Sequence, residues 1–469
     1  MSLSVAGIEV NPAIIPPLDP SFLPASLFIR EYRKLVSAHG GVPLRLALER
    51  ADGSISEFRT SVVPPAAGHV QATLLLIERT VKFLLWQRGG WKLYVGGPAE
   101  VGKHIKSVYS PTGARKFDFA FMSSVYEHPF AVVVTSAEAV PPSKEVTMPL
   151  GRHLDGCRVG FDLGASDRKA SAVINGEAVF SEEIVWDPRN ASDPEYHYHG
   201  VMDSIRRAAA HLPRLDAVGG SAAGVYINNR ARVASLYRAV PPKLFAEKIA
   251  PLFLRIRDEL GVPMEVVNDG EVTALAGSMS LGGNPVLGLA LGSSLAAGYV
   301  NREGNITGWL NELAFAPVDY RTNGPLDEWS SDCCGSQFFS QQAVNRVAVS
   351  AGMQFPEKLG LPERLVTIQK KMEEGDPLVA KLYETIGTYL GYGVAYYADF
   401  YDLKHVLVLG RVTTGPGGEI ILNKSTEVLR TEFPELARTV SIALPDEKSR
   451  RVGQSIAAAS LPAIKEIPR

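Results

Sequence analysis

The sequence predicts an α/β protein of two lobes facing each other across a cleft, preceded by a β-rich α+β domain. Three observations carry this reading. The 469 residues are 46% hydrophobic and 21% charged, a globular composition with apolar material for more than one core. A stretch rich in proline, glycine and charge, AVPPSKEVTMPLGRHLDG (139–156), reads as a linker between two regions of different character. Beyond it, two similar halves interleave apolar strand-like runs that exit through glycines with amphipathic helical runs.

Taken in order, residues 1 to about 25 are proline-rich and are expected to wrap irregularly over a surface. SLFIREYRKLV (26–36) has helical spacing. VPLRLALER (42–50) and SEFRTSVV (56–63) read as strands around a turn at Ala51-Asp52-Gly53. KFLLWQ (82–87), WKLYVGG (91–97), FDFAFM (117–122) and PFAVVVTS (129–136) read as further strands, which makes residues 1–150 a separate β-rich domain. After the linker, RVGFDLGA is a strand entering a glycine turn, and SAVINGEAVFSEEIVW is a hairpin turning at Asn175-Gly176. A helix follows Asp193-Pro194 to about His211, and FAEKIAPLFLRIRDELG is an amphipathic helix closed by Gly261. The region 367–401 is mostly helical, and KHVLVLG is a buried strand.

Composition excludes several functions. Lys+Arg 48 against Asp+Glu 50 leaves a net charge of -2, so a nucleic-acid partner is not expected. Cys157, Cys333 and Cys334 form no disulfide framework and fit a reducing compartment. Neither a signal peptide nor a membrane span is read, so a cytoplasmic location is expected.

Four segments carry candidate chemistry. Asp162-Leu163-Gly164-Ala165-Ser166 places a carboxylate at a strand end before a small-residue turn. Such a turn can hold a metal-bound water and admit phosphate oxygens, and it also fits an ordinary hairpin start. Gly292-Ser293-Ser294 is a second turn of this kind, or simply a tight small-residue turn. Asn268-Asp269 lies between an apolar strand and a helix. An aspartate there can take a proton from a substrate hydroxyl, and Asn or Asp is also a preferred helix cap. The glycine-rich run Gly410-Arg411-Val412-Thr413-Thr414-Gly415-Pro416-Gly417-Gly418 can lie against a nucleotide base or ribose, or form a turn without a ligand.

The order of these segments is that of the sugar-kinase/actin/chaperone-ATPase superfamily, whose fold is a two-lobed, ribonuclease H-like ATPase. Within it, residues from about 157 to 469 resemble the ROK family of bacterial sugar kinases and sugar-responsive repressors. FDLGAS stands where that family has D-x-G-G-T, and VVNDGEVTALAG is similar to its E-N-D-x-x-x-x-A-L segment. LALGSSLAAGYVN, NELAFAPV, VLVLGRVTTGPGG and RRVGQSIAAAS resemble its later segments in turn.

The resemblance implies lobes at 151–284 and 285–445, and a helix at 446–469 that returns to the first lobe. It implies an ATP-dependent sugar kinase with Asp269 as catalytic base. Asn268, Glu312, Gln341 and Gly224 would contact the sugar. Asp162, Gly164, Ala165, Ser166, Gly292, Ser293 and Ser294 would hold the ATP phosphates, with Asp162 reaching Mg²⁺ through water. Gly410, Arg411, Gly415 and Gly417 would hold adenosine. Dimers are common in the family, so a homodimer is expected.

The sequence also departs from the family. Phe315 stands at a family His that serves both zinc and sugar, and only Cys334 keeps a zinc-ligand position, so no zinc site is expected. Gln341 stands for a sugar-binding Glu, Val267 for the Glu before Asn-Asp, and Asp167 where Lys is common. These departures keep two alternatives in play: a sugar-binding sensor or degenerate kinase without catalysis, and an ATPase acting on a non-sugar partner. His197-Tyr198-His199 is read as a surface helix start rather than a metal site. The aromatics between Tyr389 and Tyr401 are read as core or dimer packing.

Overall fold

The computed structural model describes residues 2–145, 150–445 and 447–464. Residues 146–149 of the expected linker, and 446 and 465–469 of the expected C-terminal segment, lie outside the described residues. The chain divides into two compact units. One comprises Met1–Val146, Ala290–Ala296 and Gly308–Leu444. The other comprises Thr147–Leu289, Ala297–Thr307 and Pro445–Arg469.

The second unit is built on a five-stranded mixed sheet in the order Met264–Asn268, Ala217–Ala222, Cys157–Leu163, Asp167–Ile174, Glu177–Val185. The first three strands are parallel and the last two antiparallel. Cys157–Leu163 is apolar and almost wholly buried, as a central strand must be. The expected hairpin turns at Asn175 and Gly176, both at positive φ, which matches the twist of the flanking strands.

Helix Pro194–Ala209 starts where Asp193 accepts from the Glu195 N–H and Pro194 takes the first helical position. It packs Val201 and Ile205 against Val159, Phe161, Val218 and Val266 of the sheet. Each such side chain removed from water contributes about 1.5–3 kcal/mol. His197 is part of this core rather than of the surface: Nε2 lies 3.2 Å from the Ala191 carbonyl oxygen and the ring meets Tyr237 edge-on at 4.9 Å. The expected helix 245–260 is broken. A π-turn over Phe245–Ile249 precedes helix Leu252–Leu260 because Pro251 brings no N–H to the ladder. Gly261 closes it in the left-handed conformation, as expected.

In the first unit, a four-stranded sheet runs in the order Ile55–Val62, Val42–Glu49, Lys92–Gly96, Ala131–Thr135. Two expected strands are helices. KFLLWQ ends helix Val70–Arg88, which is buried along its whole second half. An apolar run in a helix buried all round shows no one-sided stripe, so its pattern does not distinguish it from a buried strand; length decides. FDFAFM lies in helix Lys116–Tyr126. Its alternation suits a helix equally, because Phe117 and Phe121 are four apart on one face while Asp118 and Met122 are four apart on another. The N-terminal region is therefore α+β with more helix than expected.

This region shares its core with residues 308–444. Phe83 stacks on Phe400 at 4.0 Å, and Phe22 meets Tyr389 at 4.7 Å, so the helical aromatics pack the core. Asp19, in the proline-rich stretch, accepts from Arg321 at 2.7 and 2.8 Å and from Tyr389 at 2.5 Å. Burial pushes the Asp19 carboxyl up, but Arg321 outweighs it and holds the group far below the usual carboxylate range.

Helix Val70–Arg88 also grips the 311–334 segment. Asn311 and Glu312 donate their N–H groups to the carbonyls of Gln87 and Trp86, at 2.8 and 2.9 Å. Arg79 and Arg115 both bind Asp332, the latter at 2.8 Å. Beneath them Lys82 and Asp118 form a 2.7 Å ion pair at 0% and 1% side-chain exposure, and the Trp86 indole N–H also donates to Asp118. No helix among the described residues is long and apolar enough to cross a membrane.

Candidate active site

In the second unit, three parallel strands end side by side: Asp162 pairs in register with Ser221, and Ala222 with Asn268. Ligands in open α/β sheets bind at such carboxyl ends. Ser221 donates its hydroxyl to Asp162 Oδ1 at 2.6 Å. Lys169 lies opposite Asp162 on the antiparallel neighbour and pairs with Asp167 at 3.3 Å. Desolvation at the strand end pushes the Asp162 carboxyl up, while Ser221 and Lys169 pull against it.

The following turn is partly occupied by its own hydrogen bonds. The Gly164 N–H donates to the Asp167 carbonyl at 2.9 Å, and its carbonyl accepts from the Trp186 indole at 2.9 Å. The Ala165 and Ser166 amides have no partner among the described residues. The Ser166 hydroxyl, on an exposed residue, reaches Asp167 Oδ2 at 2.9 Å.

Asn268 caps helix Asp269–Leu281. Its Oδ1 accepts from the Gly270 N–H at 2.7 Å and its Nδ2 donates to the Gly224 carbonyl at 2.7 Å. One amide N–H and one lone pair remain for a ligand. Gly224 sits at φ 130°, and a Cβ there would lie 2.5 Å from that of Ala234.

Asp269 is the first residue of the helix, half-buried, with Oδ1 3.0 Å from the Gly270 N–H. Desolvation, reinforced by the negative charge of Asp162, raises its carboxyl to about 6. The helix start is pressed against the strand through Ala297 and Gly298. A Cβ on Gly270 would fall 2.3 Å from the Ala297 carbonyl oxygen, and one on Gly298 would fall 2.1 Å from that of Gly270. Only glycine at both positions admits this approach.

The first unit holds the remaining candidates. At the turn 292–294, Gly292 donates to the Ser294 carbonyl at 3.0 Å and accepts from the Gln341 N–H at 2.9 Å. Ser293 and Ser294 are exposed. Gln341 begins helix Gln341–Ser350 and is buried, and its Oε1 has no hydrogen-bond partner among the described residues. Gly410, at φ 101°, lies against Leu291, whose carbonyl oxygen a Cβ would approach to 2.5 Å. The exposed Arg411 accepts at its carbonyl from Gln369 at 2.8 Å. Helix Pro416–Glu432 begins after Gly415, so Gly417 lies in its first turn, buried against the Tyr383 ring, rather than in the loop. Glu312 precedes a short 3₁₀ turn, Leu313–Phe315, and Phe315 stacks on Trp86 at 4.2 Å.

The structure thus brings together Asp162, Gly164–Ser166, Gly224, Asn268 and Asp269 within one unit. Within the other it brings Gly292 to Gln341, and Gly410 to the strand leading into the 292–294 turn. Sequence reasoning missed Ser221 and Lys169, because only strand register sets them beside Asp162. Cys334 donates to the Phe315 carbonyl at 3.1 Å, and burial pushes its thiol up to about 12. Among the described residues, no group of three or more His, Cys, Asp or Glu could hold a metal ion.

No protein-family model and no curated protein matches the sequence. Solved structures do match. A ROK hexokinase from Thermus thermophilus superposes with a TM-score of 0.50 at 19% identity, over 64% of this chain and 97% of that one. A ROK family transcriptional regulator, a homolog of the E. coli MLC protein, superposes with a TM-score of 0.51 at 17% identity, over 66% of this chain and 78% of that one. The shared part of this chain has the ROK fold. The ROK fold serves both a hexokinase and a regulator, so function must be argued from the site.

Proposed function

We propose that the chain is an ATP-dependent carbohydrate kinase with Asp269 as general base. The observation that carries this reading is the state of Asp269, a half-buried carboxyl at a strand-to-helix junction, raised to about 6. A base of that strength is ionised at neutral pH and still accepts a proton readily.

The residues present fit a magnesium nucleotide. Asp162 offers a carboxylate at the strand ends, and the Ala165 and Ser166 amides lack partners among the described residues. Ser293 and Ser294 present hydroxyls on an exposed turn, and Gly410, Arg411 and Gly415 form the loop expected to meet adenosine. When bound, the nucleotide would supply the phosphoryl group, and Asp162 would hold Mg²⁺, which would neutralise its charge. Asp269 takes the proton of the attacking sugar hydroxyl. Asn268 contributes its remaining N–H to a neighbouring hydroxyl, while its bonds to Gly224 and Gly270 keep the amide in place. Glu312 and Gln341 remain, by the resemblance, the further residues expected to contact the sugar, and the Gln341 Oε1 has no hydrogen-bond partner among the described residues.

The test is calorimetry with an ATP analogue and Mg²⁺, followed by ADP release across a sugar panel, on the wild type and Asp269→Asn. Both proteins should bind nucleotide, and the variant should lose about 10²–10⁴ in sugar-dependent rate. Failure of both to bind nucleotide would leave the second reading, a non-catalytic sugar sensor, which Phe315 in place of a sugar-contacting His supports. Turnover with no sugar would favour an ATPase acting on another partner.

A further inference from the structure

The turn after Asp162 leads into two residues to which the proposed chemistry gives no role, Asp167 and Lys169. Register and strand alternation place Lys169. It pairs with Asp162 on one neighbouring strand and with Glu183 on the other, so its side chain leaves the sheet on the face that carries Asp162. Arg168 leaves on the opposite face, where it donates to Asp203 and to the Ser204 hydroxyl, both at 2.6 Å. Of the two cations in strand Asp167–Ile174, Lys169 alone shares the face of Asp162.

Asp167 curls back over the turn that leads to it. Its Oδ2 accepts from the Ser166 hydroxyl at 2.9 Å, and its Oδ1 lies 3.3 Å from the Lys169 ammonium. A Cβ built on Gly164 would lie 3.5 Å from the same Oδ1. One carboxylate beside a glycine turn therefore engages both a hydroxyl and an ammonium. These are the donors that phosphate oxygens also take. The Ala165 and Ser166 amides, which have no partner among the described residues, lie in the same turn.

The ion pair is easily exchanged. Lys169 and Asp167 are 38% and 25% exposed, and pairs in contact with solvent contribute little. The ammonium has three donors on a flexible four-carbon stem, so it can leave one anion for another. A phosphate chain carries more negative charge than a single carboxylate, which favours the exchange.

We propose that Lys169 is a further phosphate-binding residue of the nucleotide site, and that Asp167 is a built-in competitor that engages Lys169 and Ser166 and must release them for phosphates to bind. The inference rests on the kinase reading, which assigns this turn to a nucleotide. Nucleotide affinity is then set by the balance between two side chains two residues apart.

The experiment is calorimetry on the full chain with AMP-PNP and Mg²⁺, using the wild type, Lys169→Met, Asp167→Asn and the double variant. Lys169→Met should weaken binding about 10- to 100-fold, the effect of losing one charge-assisted contact. Asp167→Asn should tighten binding about three- to tenfold, a gain that damage to the fold would not produce. That gain should shrink in the double variant, which has no ammonium left to release. Thermal unfolding checks that all three variants fold. Unchanged affinity in Lys169→Met, no tightening in Asp167→Asn, or a gain of equal size with and without Lys169 would overturn this inference while leaving the kinase reading in place. A wild type that binds no AMP-PNP would instead overturn the kinase reading and this inference with it.

Discussion

Replacing Asp269 with asparagine should stabilise the protein at neutral pH while removing its proposed base. The asparagine is nearly isosteric and keeps an oxygen to accept from the Gly270 N–H, so the main change is loss of a charge. Raising the carboxyl from 3.8 to about 6 corresponds to about 3 kcal/mol of unfavourable ionisation in the folded state. The folded protein binds the proton more tightly than the unfolded chain. Wild-type stability therefore falls as pH rises through the window from about 4 to 6, and is flat above it. The variant lacks this titration. Its advantage should be near zero below pH 4 and should approach about 3 kcal/mol by pH 7. Urea unfolding of both proteins by tryptophan fluorescence between pH 4 and 8 reads the difference. A variant no more stable than wild type at pH 8, or an advantage independent of pH, would refute the argument. Loss of activity with gain of stability is the expected mark of a strained functional group.

Three further outcomes follow from the geometry. Lys82→Met should cost about 3–5 kcal/mol because it leaves Asp118 buried and uncompensated, and adding Asp118→Leu should recover part of that loss in the urea midpoint. Gly298→Ala should cost about 1–3 kcal/mol or more, since its Cβ would fall 2.1 Å from a backbone oxygen that has no rotamer to yield; thermal unfolding checks this. Asn268→Ala should cost about 1 kcal/mol for the lost cap, and Asn268→Ser, which keeps a capping oxygen, should cost less in the same assay.

Local signals were legible in the sequence wherever the physics is local. Asn175-Gly176 turns a hairpin because both residues accept positive φ. Asp193-Pro194 starts a helix and Gly261 ends one, because capping involves only the residues at hand. The order of the glycine turns and the Asn-Asp pair pointed to the fold that the solved ROK structures share with two-thirds of this chain. What tertiary structure decided depends on neighbours far along the chain. Whether 82–87 is helix or strand was set by burial on all sides, which erases periodicity. That residues 1–146 share a core with 308–444 follows from pairs such as Asp19 with Arg321 and Phe83 with Phe400, which no sequence window contains. Asp162 meets Ser221 and Lys169 only through strand register. The raised carboxyl of Asp269 exists only once folding removes water from it and brings a second carboxylate near, because ionisation is governed by the surroundings of a group rather than by its identity.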